Sequence, residues 1–221
     1  MDTVLFLLFT LSYSTLIAWG LKGIHRNHLT TWSSLIYIVT IGLIYDNAVM
    51  GLGKWIGEGT FLEFLNALRF WSHAFLTPLL VLYSVGVLRE SGIKWANTTW
   101  ISIISTLYTL FLIILEIQLE TSKLTLIPKM EFGVLRYVSS ESDGGPPIMV
   151  LLVTVVLLIA SIIVWKKTNW PWFFIGTAVM TIGSLVPIQI NSSAVTNGFE
   201  LILIWTLIWT KKRLIKNELK V

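Results

Sequence analysis

The run IMVLLVTVVLLIASIIVWKK at residues 148–167 decides the fold class, because it carries no charge before Lys166. A helix that crosses about 30 Å of hydrocarbon needs about 20 mostly apolar residues. This run has that length, and it ends in a tryptophan and two lysines, which is typical of a helix end at a lipid headgroup layer. It therefore predicts a membrane-spanning helix.

Similar stretches occupy most of the chain. The predicted spans are roughly 3–20, 33–52, 67–88, 98–117, 148–165, 171–190 and 198–210. Apolar residues make up 55% of the 221 residues and charged residues only 13%, which is about half the charged share of a soluble domain. With no internal repeat in sight, the chain is predicted to be one multi-pass domain, 1–221, folded as an all-α integral membrane bundle of about seven helices.

The first apolar stretch, residues 3–19, is interpreted as a retained span. A cleaved signal peptide begins with a positively charged segment, whereas here Met1 and Asp2 come first and the basic residues Lys22 and Arg26 follow the stretch. Cleavage is the minority interpretation.

Basic residues alternate from one side of the predicted spans to the other. The connections at 21–32, 89–97 and 166–170, together with the C-terminal tail, hold 11 of the 16 lysines and arginines. These are Lys22, Arg26, Arg89, Lys94, Lys166, Lys167, Lys211, Lys212, Arg213, Lys216 and Lys220. Cytoplasmic connections carry such an excess, so the pattern predicts an N-terminus outside the cell and a C-terminus in the cytoplasm.

Composition also excludes several kinds of function. The chain has no cysteine, which excludes disulfides, thiolate metal sites and cysteine nucleophiles. Its net charge of +4 comes from short runs between apolar stretches, so membrane topology explains it better than nucleic acid does. His25 and His28 offer too few ligands for a metal, and no cofactor or metal site is predicted.

Strongly polar residues inside the spans concentrate near the predicted outer surface. Span two carries Asp46 and Asn47 there, next to Tyr45. On span three, four polar residues lie within a stripe about 80° wide, because successive residues of an α-helix are rotated by 100°. Its members are Asn66, Arg69, His73 and Thr77. Spans two and three are joined by a short connection and are therefore expected to be antiparallel neighbours, so we expect Asp46 to pair with Arg69 or His73.

These residues predict a polar pocket at or just beneath the outer surface. We expect spans two, three, six and seven to line it, with Gln189 and Glu200 contributed by the last two. Ionisable groups in a membrane are costly and often functional. The alternative is an interhelical clamp between spans two and three. Glu116 and Glu200 lie near the membrane–water interface, where a carboxylate stays solvated at little cost in free energy. They are therefore interpreted as solvated carboxylates.

Each pocket residue is assigned an expected role. Arg69 suits a phosphate or carboxylate, which its guanidinium holds in a two-pronged grip. Asp46 and His73 are expected to move protons, which makes these three the catalytic candidates. The substrate-binding candidates are Asn47, Asn66, Gln189 and Glu200, although Asn66 also suits helix packing.

The longest connection, residues 118–147, lies on the predicted outer side. It ends in Asp143-Gly144-Gly145-Pro146-Pro147, a sequence that stops regular structure before span five. Within it, residues 130–138 are expected either to lie on the membrane surface or to cover a cavity.

Two seven-span families are excluded by their site residues. Retinal proteins need a lysine in the last span, and residues 198–210 contain none. Seven-span zinc hydrolases of the alkaline ceramidase type need several membrane histidines, and only His73 qualifies.

Three hypotheses of function follow. The first is a membrane enzyme that acts on a lipid, isoprenoid or lipid-linked substrate at the outer leaflet. The second is a receptor or transporter for a small solute, although the inner halves of the spans offer no continuous polar path. The third is an accessory subunit of another membrane protein. The expected partners are the lipid bilayer and a lipid or amphiphilic ligand, and the expected location is a bacterial plasma membrane.

Overall fold

Long apolar helices dominate the computed structural model, which describes residues 2–24, 26–140, 148–185 and 192–218. The helices are α1 Asp2–Leu21, α2 Arg26–Leu29, α3 Leu35–Ile56, α4 Thr60–Leu76, α5 Leu79–Glu90, α6 Thr99–Leu119, α7 Ile148–Thr168, α8 Trp172–Leu185 and α9 Val195–Glu218. Within the described ranges, five helical stretches are long and apolar enough to cross a membrane. They are Asp2–Leu21, Trp32–Ile56, Thr60–Glu90, Thr99–Leu119 and Ile148–Thr168. The prediction of a mostly helical chain with several membrane-length helices is confirmed.

The last two predicted spans correspond to less regular elements. α8 has 14 residues, and residues 186–190 of the predicted span 171–190 lie outside the described residues. α9 has 24 residues and runs on from the predicted span 198–210 into the basic tail. The count of seven spans therefore stays a prediction.

The third membrane-length stretch is interrupted between α4 and α5. Pro78 has no amide hydrogen, and its ring clashes with the preceding helical turn. α4 ends where the Thr77 amide donates to the His73 carbonyl at 3.1 Å, and backbone bonding resumes where the Leu80 amide donates to the Thr77 carbonyl at 3.1 Å. The break separates α4, which carries Asn66, Arg69 and His73, from α5.

Contacts between helix termini define two ends of the bundle. The Ser193 amide donates to Asp2 Oδ2 at 2.6 Å, and Lys212 Nζ donates to the Trp19 carbonyl at 2.6 Å, so α1 and α9 run parallel. We name the end near Asp2 and Ser193 the hairpin end, because it also carries the two strands. The opposite end, with Trp19 and Lys212, is the basic end.

The core lies at the centre of the bundle, between α1, α3, α5, α7, α8 and α9. Tyr13, Phe173 and Leu207 are fully buried there. Tyr83 is also fully buried, and its hydroxyl donates to the Leu207 carbonyl at 2.8 Å. This bond satisfies a polar group inside an apolar core and ties α5 to α9.

A β-hairpin departs from the all-α prediction. β1 Leu126–Glu131 pairs antiparallel with β2 Val134–Ser139. Its two-residue turn has positive φ at both positions, 50° at Phe132 and 85° at Gly133, as a type I′ turn requires. Phenylalanine is not a usual residue for the first of these positions, and Pro128 weakens the strand pattern, so local sequence gives little signal for the hairpin.

Tertiary contacts hold the hairpin against the helices. Gly53 on α3 lets the Leu135 carbonyl approach so closely that an added Cβ would lie 2.0 Å from that oxygen. Thr3 donates its hydroxyl to the Gly133 carbonyl at 2.7 Å, and the Gly59 amide donates to the Tyr137 hydroxyl at 3.1 Å. The hairpin is thus fixed over the ends of α1, α3 and α4.

Candidate functional site

The site is built on an ion pair between α3 and α4. Arg69 Nε donates to Asp46 Oδ1 at 2.8 Å, which confirms the expected pairing of Asp46 with Arg69. Arg69 Nη1 donates to Asn66 Oδ1 at 2.8 Å. The Asn66 amide group in turn donates to the Leu62 carbonyl at 2.8 Å. Two side chains therefore fix the orientation of the guanidinium group before any ligand binds.

His73 lies one helical turn after Arg69 and is oriented by its own neighbour. Its Nδ1 shares a hydrogen bond of 3.1 Å with Thr77 Oγ1, at the last residue before Pro78. His73 also lines the cavity described below. With Nδ1 engaged, Nε2 is the ring nitrogen left for a ligand, which is the usual arrangement of an oriented histidine.

A cavity of about 360 Å³ opens between α3, α4, α6 and the hairpin. Its lining combines two arginines, a histidine, three carboxylates and a few uncharged groups. These residues are Asp46, Arg69, Phe70, His73, Glu116, Glu120, Thr121, Arg136, Val138 and Ser139. The volume falls within the range of small-molecule sites. Of the two expectations for residues 130–138, the second applies: they cover a cavity.

The walls of this cavity differ in part from the predicted ones. The spans that carry Asp46 and Arg69 do line it, but α6 and β2 provide the other walls in place of α8 and α9. The physical reason is the hairpin, which covers the hairpin end of α3 and α4, whereas α9 packs beside α1 and α8. In the latter contact, for example, Phe199 packs against Gly183.

Arg136 is the second cation of the cavity. It reaches in from β2, and its Nη2 donates to Glu131 Oε2 at 3.1 Å. Its side chain is 21% exposed. Burial lowers the pKa of Arg136, and the positive charge of Arg69 lowers it further. Two guanidinium groups that repel each other across a half-buried cavity favour a bound anion.

Two carboxylates near the C-terminal end of α6 line the same cavity. Glu116 is only 5% exposed, whereas Glu120 is exposed at the mouth. The carboxyl group of Glu116 makes no hydrogen bond or ion pair with another described residue. Its oxygens are not sealed inside the protein, so they face the cavity.

The remaining predicted site residues lie elsewhere. Asn66 is fully buried behind Arg69. Asn47 is also fully buried, and its Oδ1 accepts from Asn197 Nδ2 at 3.2 Å, so it faces α9. Glu200 lies on α9 and, like Asn47, does not line the cavity of Arg69. Gln189 lies outside the described residues.

No family model matches this chain, and no curated protein or solved structure is significantly similar to it. A function for this protein therefore has to be inferred from the site itself.

Sequence reasoning gave no ligand role to Arg136 or Glu116. Arg136 stands among the apolar residues Leu135, Tyr137 and Val138, and an isolated cation in such a run is the signal that could have identified it. Glu116 was assigned to solvent because it is near the end of its span. The hairpin roof, which the sequence did not predict, removes it from solvent.

A second polar cluster lies at the basic end, and it is closed. Lys211 is 0% exposed, and its Nζ donates to Ser33 Oγ at 2.6 Å and to the His28 carbonyl at 3.1 Å. Glu90 Oε1 lies 3.7 Å from the same ammonium group and accepts a hydrogen bond from Ser33. Because no face of Lys211 reaches solvent, this cluster is suited to hold α5 and α9 together and not to bind a ligand.

Proposed function

We propose that this protein is a membrane enzyme that acts on a lipid, isoprenoid or lipid-linked substrate from the outer leaflet of a bacterial plasma membrane. The single observation that carries this proposal is the half-buried cavity in which Arg69, Arg136 and His73 meet at one end of a bundle of apolar helices. Charged groups beside apolar helix surfaces match an amphiphile, which has a polar head and apolar chains.

The proposed topology has seven spans, with the N-terminus outside and the C-terminus in the cytoplasm. The cation–π contacts at the basic end support this orientation. The guanidinium groups of Arg89 and Arg213 lie 4.2 Å and 4.5 Å from the rings of Trp32 and Trp170. Tryptophan beside basic residues is typical of the cytoplasmic headgroup layer. The hairpin and its cavity then belong to the outer surface.

The proposed chemistry divides into binding and proton transfer. Arg69 and Arg136 hold an anionic group of the head, because guanidinium groups bind phosphate and carboxylate oxygens through paired N–H donors. His73 gives or takes a proton through Nε2, since Thr77 engages its Nδ1. Asp46 keeps Arg69 in position and neutralises it in the absence of substrate. We therefore assign Asp46 a positioning role, in place of the proton transfer expected from the sequence.

Mass spectrometry of total lipids tests the proposal in cells that lack the protein. We expect one lipid class to accumulate or vanish, and wild type to restore it. A double variant, Asp46→Asn with His73→Ala, should not restore it, whereas Lys212→Ala at the basic end should. Identical profiles in all strains would contradict the enzyme proposal. Saturable ligand binding without turnover would then favour the receptor or transporter.

A further inference from the structure

The environment of Glu116 allows a substrate class to be inferred. The Glu116 residue is only 5% exposed, and its carboxyl group faces the cavity without a partner among the described residues. A buried carboxylate without a hydrogen-bonded cation is costly. Such a group therefore points to a ligand that supplies the missing donor.

The charges of the cavity are arranged on separate walls. Arg69 on α4 and Arg136 on β2 form the basic part, whereas Glu116 on α6 and Glu120 directly after it form the acidic part. Arg69 already has Asp46, and Arg136 already has Glu131. No such cation pairs with Glu116 or Glu120 among the described residues. The arrangement complements a ligand that carries both an anion and a cation.

We propose that the cavity binds a phosphate–ammonium zwitterion, with the phosphate at Arg69 and Arg136 and a primary ammonium at Glu116 and Glu120. This inference rests on the proposed function and names the head of its substrate. A primary ammonium has three N–H donors, which suit the two carboxylates. A quaternary ammonium has none and prefers an aromatic cage, whereas Phe70 is the one aromatic residue of the described lining.

Native mass spectrometry of the purified full-length chain in detergent tests the inference. The probes are phosphatidylethanolamine, phosphatidylcholine, phosphatidylglycerol and phosphatidic acid, all with dioleoyl chains. Wild type should bind phosphatidylethanolamine about tenfold more tightly than the other three, as a charge-assisted hydrogen bond implies. Glu116→Gln should abolish this preference but keep the binding of the anionic lipids. Glu58→Gln, at an exposed position of the same end that does not line the cavity, should keep the preference.

A parallel arm replaces the lipid with soluble phosphoethanolamine, measured by isothermal titration calorimetry. Binding that depends on Glu116 in either arm supports the zwitterion, and the arm that binds identifies its source. Equal binding of phosphatidylethanolamine, phosphatidylcholine and phosphatidylglycerol by wild type, without Glu116-dependent binding of phosphoethanolamine, would overturn the inference.

The same experiment separates this inference from the proposed function. If Arg69→Gln weakens the binding of all four lipids while Glu116→Gln changes no preference, an anion site stands and the zwitterion is wrong. If no probe binds in either arm, the zwitterion is wrong, whereas the lipid profiles of cells that lack the protein decide the proposed function separately.

Discussion

Near each end of the bundle, one ion pair joins two helices, and the two pairs differ in exposure. At the basic end, the side chains of Lys211 and Glu90 are 0% and 9% exposed. At the hairpin end, those of Arg69 and Asp46 are 15% and 25% exposed and line a cavity. Both pairs stabilise helix contacts, but only an open pair can exchange its partner for a ligand. Accessibility therefore distinguishes a structural cluster from a candidate site.

The largest expected effect is the loss of the closed pair. Lys211→Ala leaves Glu90 buried without its cation, so we expect the free energy of unfolding to fall by about 3–5 kcal/mol. Thermal unfolding in detergent measures this loss. Lys212→Ala, which removes hydrogen bonds to two exposed carbonyl groups, should cost about 1 kcal/mol. Equal losses in the two variants would contradict a special role for Lys211.

A matched pair of glycine substitutions separates stability from binding. An added Cβ would lie 2.3 Å from the Ser33 amide nitrogen at Gly86, and 2.0 Å from the Leu135 carbonyl at Gly53. Gly86→Ala should reduce stability by about 1–3 kcal/mol, because α5 and the segment at Ser33 are forced apart. Gly53→Ala should move the hairpin and weaken ligand binding more than it lowers stability. The reverse ranking would show that the hairpin is not the roof of the site.

Replacement of Arg69 by lysine separates the charge of the open pair from its hydrogen-bond geometry. Lysine keeps the charge but cannot hold Asp46, Asn66 and an anion with one fixed fork. We expect about tenfold weaker ligand binding, equivalent to about 1.4 kcal/mol, and a smaller change in thermal stability. Titration with phosphatidylglycerol or phosphatidic acid measures the ligand affinity. Wild-type affinity in Arg69→Lys would mean that charge alone suffices.

The smallest effect concerns Glu131, which precedes the hairpin turn and pairs with the cavity residue Arg136. The hydrogen bond from Lys129, 3.1 Å from Glu131, lowers the pKa of that carboxyl group. A lowered folded-state pKa stabilises the hairpin above the unfolded pKa of Glu131, and this stabilisation is lost as the pH falls through the folded value. Solvent screening keeps the effect below about 1 kcal/mol. Protection factors for amide exchange in β1 and β2, compared between pH 6 and pH 3, should detect it. Glu131→Gln should remove the pH dependence of these protection factors.

The sequence predicted the elements whose causes are local. A span follows from the length of an apolar run such as residues 148–165, and the stripe that joins Arg69 and His73 follows from helical periodicity. The pairing of Asp46 with Arg69 required only a short connection between neighbouring spans. All three predictions need no knowledge of distant contacts.

The walls of the cavity could not be predicted in the same way. The hairpin depends on long-range contacts, such as Thr3 with Gly133 and Gly59 with Tyr137, and its turn lacks a typical sequence. Without that roof, Arg136 is a loop residue and Glu116 a solvated helix end. The closed cluster was missed for the same reason, because Lys211 and Ser33 are 178 residues apart.

We infer that the open pair serves a ligand and that the closed pair serves the fold. The most direct test measures the bound phospholipid per folded protein in Arg69→Gln and in the double variant Lys211→Met with Glu90→Leu. The double variant replaces a buried ion pair with apolar side chains and should keep much of the stability. We predict that it binds as wild type does and that Arg69→Gln loses binding about tenfold or more. Equal loss in both proteins, or loss in the basic-end variant alone, would contradict the claim.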